Sequence, residues 1–424
     1  MVIEFSVANF CSFDQIQTLS FRATKLDSLD EKVETNNVIV VEDQRFLKIV
    51  GIYGANASGK TNFIKAISFF KEMVANSVVA EGFSALGVNP FRQSANSKQR
   101  PSYFQIVLLL KEKKYRYGFT LDNNADIGSE WLFGPAGKNE TFYFKRTKNQ
   151  IQTNTEWFEE GTSLPEDNLR ADALFLSFCS SYNGSISKAI RNFLFREVTV
   201  DAKISRRGSR NLGLIVNPGG SYGMTNRLLE TGNEEMILTW LKEVGLIYNS
   251  IRLPNEEAGF SNSVYLSKNV FDEIGNIVGQ TEMDLVLDES EGTKKFYNYI
   301  GKLYRKFQLG GLYVCDEIDS NFHPSLLQKI IKLFQNPEIN KANAQLLFTS
   351  HDTNLMDPCI MRRDQFYFSE KNFYDATKLY SLSDLKGIRN NADFARQYLA
   401  GLYGALPVLG DFLEEAGGEI EQNK

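Results

Sequence analysis

Residues 54–61 read Gly54-Ala55-Asn56-Ala57-Ser58-Gly59-Lys60-Thr61 and fit the pattern G-x-x-x-x-G-K-[ST]. A short apolar run at residues 46–53 precedes them, and residues 62–75, which carry apolar side chains at helical spacing, follow. Glycines allow a turn whose backbone N–H groups face inward around phosphate oxygens, and the helix adds the positive end of its dipole. This succession of strand, turn and helix predicts a P-loop, which binds the phosphates of a nucleotide.

The residue types in the loop predict individual roles. Lys60 is expected to bridge the β- and γ-phosphates of ATP, and Thr61 is expected to ligate Mg²⁺. The predicted nucleotide-binding residues are Gly54, Asn56, Ala57, Ser58, Gly59, Lys60, Thr61 and Asn62.

A second buried-type strand, residues 312–315, ends in two adjacent carboxylates, Asp316 and Glu317. In open α/β sheets, ligands bind at the carboxyl ends of the strands. Asp316 is therefore predicted to hold Mg²⁺, directly or through water. Glu317 is predicted to be catalytic, as the general base or as the group that orients the attacking water.

Two further segments end in polar residues that suit the same site. Residues 345–349 are a buried-type strand followed closely by His351, one of only two histidines in the chain. Ser290, Gly292 and Thr293 precede a helical pattern, where they make either an anion-binding helix N-terminus or an ordinary helix cap. The other histidine, His323, follows the acidic strand, and both a capping role and a role in the site stay open for it.

Composition describes an ordinary globular protein. Hydrophobic residues make up 42% of the 424, the formal net charge is −5, and no apolar run approaches the ~20 residues that span a bilayer. The first residues lack the pattern of a signal peptide, and the four cysteines are far apart, as in a reduced cytosolic protein. A cytoplasmic protein without a membrane segment is therefore expected.

The alternation of strand and helix patterns predicts an α/β fold with a parallel, doubly wound core sheet and a mixed N-terminal sheet. We expect an N-terminal ATPase lobe at residues 1–168, a helical insertion at 169–262 and a C-terminal lobe at 263–424. A basic segment at residues 203–213 (KISRRGSRNLG) interrupts the helical region.

The ordered motifs resemble those of ABC-type P-loop ATPases related to SMC heads, RecF and the overcoming-lysogenization-defect (OLD) proteins. A closer resemblance is to the AAA-type "ATP/GTP phosphatase" proteins of bacterial abortive-infection systems, the RloA-like, AbiL-like and PARIS AriA-like ATPases. It is carried by residues 5–13 (FSVANFCSF), 54–66 (GANASGKTNFIKA), 174–180 (LFLSFCS), 290–293 (SEGT), 316–324 (DEIDSNFHP), 349–352 (TSHD) and 384–407 (DLKGIRNNADFARQYLAGLYGALP).

This resemblance implies a site completed by a second copy of the chain. The signature residues Ser290, Gly292 and Thr293 would contact the γ-phosphate bound by the other copy. Asp319 would face that copy as the D-loop residue, and His351 would hydrogen-bond the γ-phosphate and sense its loss. A glutamine that contacts Mg²⁺ and the attacking water is expected, with Gln93, Gln99 and Gln105 as candidates.

The resemblance further implies an anti-phage ATPase that forms a dimer of heads or a larger homo-oligomer. The partner would be a Toprim-type (RloB-like) nuclease in trans, because residues after His351 lack a D-x-D cluster. A phage protein or DNA is a candidate trigger.

Two alternatives stay open. One is a RecF-like ATPase that senses DNA ends through the basic segment 203–213, which equally suits a solvated loop or a protein-docking site. The other is a slow ATP-binding switch in which Glu317 is nearly idle. The inserted helical region and Glu291, at a position where transporters carry glycine, disfavour a transporter motor.

Overall fold

The computed structural model describes residues 1–26, 28–84, 88–162, 164–165, 168–202, 223–254 and 263–407. The basic segment 203–213 lies outside these residues. Within them, none of the helices combines the length and apolar character needed to cross a membrane.

The described chain contains the following elements in order. The strands are β1 (Val2–Ala8), β2 (Gln17–Ser20), β3 (Val38–Val41), β4 (Gln44–Leu47), β5 (Ile49–Tyr53), β6 (Ser102–Leu110), β7 (Lys113–Leu121), β8 (Ile127–Ala136), β9 (Asn139–Thr147), β10 (Gln150–Thr153), β11 (Val198–Asp201), β12 (Ser250–Arg252), β13 (Tyr265–Phe271), β14 (Ile277–Asp284), β15 (Leu312–Cys315), β16 (Gln345–Thr349), β17 (Phe366–Lys371) and β18 (Thr377–Ser381). The α-helices are α1 (Glu31–Asn37), α2 (Lys60–Asn76), α3 (Phe175–Ser181), α4 (Ser185–Asn192), α5 (Gly223–Glu230), α6 (Glu234–Glu243), α7 (Glu291–Leu309), α8 (Pro324–Gln335) and α9 (Phe394–Leu399).

The core sheet has the order β11-β15-β16-β5-β17-β18, and its first five strands are parallel. Only β18 runs antiparallel, as the second strand of a hairpin with β17. The carboxyl ends of β5, β15 and β16 consequently meet at one edge. The predicted fold class, an α/β fold with a parallel core sheet, is confirmed.

The N-terminal sheet differs from the prediction in one respect. Its order is β10-β9-β8-β7-β6-β1-β2, and all of its pairs are antiparallel rather than mixed. The reason is that β5, the strand that leads into the P-loop, pairs with β16 and β17 of the core sheet instead. Such pairing between distant segments leaves no local pattern in the sequence.

Helix α2, which follows the P-loop, packs between the two sheets. Phe63 and Phe70 meet the ring of Phe5 on β1 edge to face at 5.6 Å, and Phe70 stacks on Phe119 of β7. Val50 of β5 belongs to the same hydrophobic cluster. Burial on both sides fixes the position of the helix that carries Lys60.

A buried ion pair ties α3 to the N-terminal sheet. Glu130 of β8 and Arg146 of β9 are almost fully buried, with 3.7 Å between their charged groups. The Glu130 carboxylate accepts hydrogen bonds from the N–H groups of Phe175 and Leu176, so it caps the start of α3 from another element. Burial raises the pKa of Glu130, whereas the Arg146 guanidinium opposes this shift.

A third sheet, β12-β13-β14, packs with α5 and α6 against α7. The approach of α5 to α7 requires glycine at position 301, because a Cβ there would lie 2.4 Å from the backbone nitrogen of Thr225.

The predicted lobe boundaries at 168 and 262 stay predictions. Within the range predicted as a helical insertion, β11 joins the core sheet beside β15.

Candidate nucleotide-binding site

The loop between β5 and α2 depends on its two glycines. Gly54 and Gly59 have φ angles of 151° and 114°. A Cβ on Gly54 would lie 2.2 Å from the Ser369 carbonyl oxygen, and one on Gly59 would lie 2.2 Å from Thr377 Oγ1. Both positions therefore exclude side chains, for conformational as well as steric reasons.

A hairpin and a loop from elsewhere in the chain hold this turn. The hydroxyl groups of Ser369 and Thr377, at the two strands of the β17–β18 hairpin, donate to the Ser58 carbonyl at 3.1 and 2.8 Å. Thr377 Oγ1 also lies 2.7 Å from Ser12 Oγ, which accepts a hydrogen bond from Asn62 Nδ2 at 2.9 Å. Asn62 thus anchors the start of α2 to the loop after β1.

Lys60 lies folded back over the loop. Its ammonium group donates to the carbonyl oxygens of Gly54 at 2.7 Å and Ala55 at 2.9 Å. Burial lowers the pKa of Lys60 to about 8, an effect that nearby carboxylates, chiefly Asp316, oppose. Asn56 and Ala57 are exposed at the tip of the loop.

The ends of β15 and β16 meet α2 through a chain of hydrogen bonds. Thr61 Oγ1 donates to Asp316 Oδ1 at 3.3 Å, and Thr349 Oγ1 donates to the same oxygen at 2.7 Å. Thr349 Oγ1 in turn accepts the N–H of Glu317 at 2.7 Å. The structure therefore brings together Thr61, Asp316 and Glu317, as the sequence predicts.

Glu317 is exposed and has a φ angle of 50°. This left-handed conformation is uncommon for a residue with a side chain and often marks functional sites. Nearby, the backbone N–H of His351 donates to Asp319 Oδ2 at 3.1 Å. Burial, and then the charge of Lys60, lower the pKa of His351.

The predicted signature residues lie at the start of α7. Ser290 is the N-cap, and its hydroxyl oxygen accepts the N–H of Thr293 at 3.2 Å. Gly292 packs on the loop after β15, since a Cβ there would lie 2.9 Å from the Asn321 carbonyl oxygen. Ser290 and Glu291 are exposed, so this helix start is accessible from solvent.

His323 is the N-cap of α8, where Nδ1 accepts the N–H of Ser325 at 3.2 Å. Of the two interpretations left open by the sequence, the geometry favours the capping role. We expect His323→Ala to lower the free energy of unfolding by about 1 kcal/mol and to leave nucleotide hydrolysis unchanged. His323→Asn should keep the cap. Urea unfolding and phosphate release measure the two effects, and loss of hydrolysis in both variants at unchanged stability would place His323 in the site.

The three candidate glutamines lie in different surroundings. Gln105, on β6, accepts a hydrogen bond from the Trp131 indole, and Gln99 lies in a short 3₁₀ helix. Gln93 donates to Asp375 in the turn of the β17–β18 hairpin, at 3.2 Å. Gln93 is therefore the candidate that contacts the hairpin supporting the P-loop.

Several residues that shape the site carry no local signal in the sequence. Ser369 and Thr377 are single polar residues on a distant hairpin. Ser12 lies in the segment 5–13 that carries the family resemblance, but that resemblance does not predict its contact with Thr377 and Asn62. In addition, the Ala405 carbonyl accepts the N–H of Ala55 at 2.9 Å, and the Ala405 N–H bonds to Glu370 at 3.1 Å. The tract at residues 384–407 carries part of the family resemblance, but nothing in its sequence predicts this contact with the P-loop.

The residues present fit a nucleotide with its metal ion. The loop is too close-packed for side chains at its glycines, and Ser58 Oγ is buried without a hydrogen-bond partner in the described structure. Thr61 and Asp316 supply a hydroxyl and a carboxylate, the oxygen ligands that Mg²⁺ prefers. Lys60 supplies the positive charge for phosphate.

A family model agrees with this description. The family model described as "AAA domain, putative AbiEii toxin, Type IV TA system" matches residues 49–182 and 244–357, more than half of the chain. Among solved structures, an Smc head bound to the C-terminal winged-helix domain of ScpA is 13% identical with a TM-score of 0.45, covering 90% of this chain and 97% of that chain. No curated protein matches.

Proposed function

The chain belongs to the family of AAA domains of the AbiEii-toxin type, and we propose that it is a Mg²⁺-dependent ATPase whose sites are completed by pairing of two copies. The observation that carries this proposal is the hydrogen-bonded chain from Thr61 through Asp316 and Thr349 to Glu317. It joins the phosphate-binding loop to an exposed carboxylate at the carboxyl edge of the core sheet.

Binding rests on the loop and on Lys60. The backbone N–H groups at the start of α2 surround phosphate oxygens, and Lys60 exchanges its carbonyl partners for the β- and γ-phosphates. Mg²⁺, held by Thr61 and Asp316, would neutralise charge on the same phosphates.

Hydrolysis rests on Glu317 and His351. Glu317 orients a water molecule and accepts its proton as the water oxygen bonds to the γ-phosphorus. The bond from that phosphorus to the β–γ bridging oxygen breaks, and ADP and phosphate leave. His351 donates a ring N–H to the γ-phosphate.

A second copy supplies the signature. Ser290, Gly292 and Thr293 lie at an exposed helix N-terminus, which suits a phosphate bound by another molecule. Asp319, with Oδ1 buried and unpartnered in the described structure, lies in the loop after β15, on which Gly292 packs. When two heads pair, the signature residues and Asp319 lie in the shared interface. The protein then forms a dimer or an assembly of dimers.

The biological role that we propose is anti-phage defence, in which the ATPase controls a Toprim-type nuclease encoded separately. Support comes from the family description, which names an AbiEii toxin and a type IV toxin–antitoxin system, and from the resemblance to abortive-infection ATPases. In a host that carries the protein with its native flanking genes, Lys60→Ala should abolish protection against phage. Full protection by this variant would contradict the role.

Purified protein tests the biochemical proposal. We expect phosphate release from ATP that stops on chelation of Mg²⁺, and a doubling of the mass in solution with ATP but not with ADP. Lys60→Ala should lose ATP binding and the change in mass together. A wild-type protein that binds ATP without hydrolysis would favour the slow assembly switch instead.

A further inference from the structure

One lysine links the start of α7 to the loop that carries Glu317. Lys295 lies five residues after Ser290 on the same helix. Its ammonium group donates to the carbonyl oxygens of Ser320 at 2.6 Å, Glu317 at 3.2 Å and Ile318 at 3.3 Å. An ammonium group has three N–H donors, so this loop occupies all of them.

Aromatic rings fix the side chain between helix and loop. The Lys295 nitrogen lies 4.6 Å from the ring centre of Phe322 and 5.5 Å from that of Tyr299. The two rings pack edge to face at 5.4 Å. A cation over aromatic faces in a partly buried place is held firmly. The rings therefore help to hold the ammonium against the carbonyl groups of the loop.

Glu317 depends on such support. Its backbone has a φ angle of 50°, which a residue with a side chain adopts only where neighbours impose it. Thr349 holds the N–H of Glu317, and Lys295 holds its carbonyl oxygen. These two contacts fix the peptide groups on both sides of the Cα, and hence the direction of the carboxylate.

We propose that Lys295 is a positioning residue for Glu317 of its own chain. The proposal rests on the proposed ATPase function. It also assigns α7 two tasks, because Ser290 at the helix start faces the nucleotide of the second copy while Lys295 holds the catalytic carboxylate of the first. Binding at one site of a pair is thereby linked to the geometry of the other.

Substitution of Lys295 gives the first test. Lys295→Met keeps the length of the side chain and removes its donors. We expect the kcat for ATP to fall about 10²-fold, the cost of a small misplacement of a catalytic group, with the Kd for ATP within about twofold of wild type. Lys295→Arg should recover part of the rate. Lys329→Met is the control, since Lys329 also donates to a backbone carbonyl but lies on α8 against Glu243.

Mixing experiments separate action on the same chain from action through the signature. In a pair formed from one Lys295→Met chain and one Ser290→Arg chain, one of the two sites is intact. The Ser290→Arg chain supplies its Glu317 and Lys295, and the Lys295→Met chain supplies its signature residues. About a quarter of wild-type activity should therefore appear on mixing in equal amounts. A mixture of Lys295→Met with Glu317→Gln should stay inactive, because each chain has then lost its own carboxylate function.

The opposite pattern would overturn the proposal. If Lys295 instead acts through the signature residues of its own chain on the nucleotide of the other copy, the mixture of Lys295→Met with Ser290→Arg stays inactive. The mixture of Lys295→Met with Glu317→Gln then regains ATP hydrolysis. The mixture of Ser290→Arg with Glu317→Gln is the standard, since it retains one intact site whatever Lys295 does. If this standard mixture does not hydrolyse ATP, head pairing itself is contradicted. The role of Lys295 is then still decided by Lys295→Met alone, from whether kcat falls while the Kd for ATP stays unchanged.

Discussion

Glu317→Gln is expected to lower the rate of ATP hydrolysis by about 10²–10⁴-fold while ATP binding is retained. Glutamine has nearly the shape of glutamate, and the backbone bonds of residue 317 to Thr349 and Lys295 do not involve the side chain. What the variant loses is a group that accepts the proton of the attacking water. Because the nucleotide is then bound but not cleaved, ATP-bound pairs should accumulate.

The measurement is steady-state phosphate release together with the mass of the protein in solution with ATP. Lys60→Ala is the matched control, since it should lose binding and hence fail to pair. Hydrolysis by Glu317→Gln at the wild-type rate would show that another group activates the water, and the assignment of the catalytic carboxylate would be wrong.

Arg146→Met is expected to lower the free energy of unfolding by about 3–5 kcal/mol, because it leaves the buried carboxylate of Glu130 without its charged partner. The variant also releases the carbonyl oxygens of Ala173 and Lys148, which Arg146 binds at 2.5 and 2.7 Å. Urea unfolding followed by fluorescence gives the change in midpoint.

Arg116→Met is the control for this effect. Arg116 pairs with Glu140 at 2.8 Å in the same sheet, but both side chains are about one-third exposed, so the cost should stay below about 1 kcal/mol. The double variant Glu130→Gln, Arg146→Met should recover part of the loss, because a neutral amide oxygen still caps α3. Equal midpoints for the two arginine variants would contradict a structural role for the buried pair.

Three of the six strands of the core sheet, β5, β15 and β16, could be predicted from sequence. Strands β15 and β16 have the predicted bounds, because buried parallel strands are continuous apolar runs that end in polar residues. The run at 46–53 divides at Lys48, whose N–H bonds to Asn37 while its carbonyl accepts the N–H of Leu346. A break caused by distant partners has no signature in the run itself.

The roles of buried or anchored charges could not be predicted in the same way. Lys295 follows another lysine at the start of a helical pattern, and Glu130 and Arg146 are charged residues in strand patterns, where solvent exposure is the ordinary expectation. Only tertiary contacts show that these charges are enclosed and paired. The motif residues themselves, from Lys60 to Asp316 and His351, could be placed because each follows a buried strand, and the carboxyl ends of parallel strands meet at one edge of the sheet.

The pairing of β5 with β16 and β17 bears on how the protein is made. A ribosome delivers the P-loop strand, which ends at residue 53, long before residue 345, where its first neighbour begins. At about 5–20 residues per second the nascent strand waits for tens of seconds without a sheet to join. Nucleotide capture is therefore a late event of biosynthesis, and an unfinished polypeptide released before that point carries the complete P-loop sequence but no working ATP site.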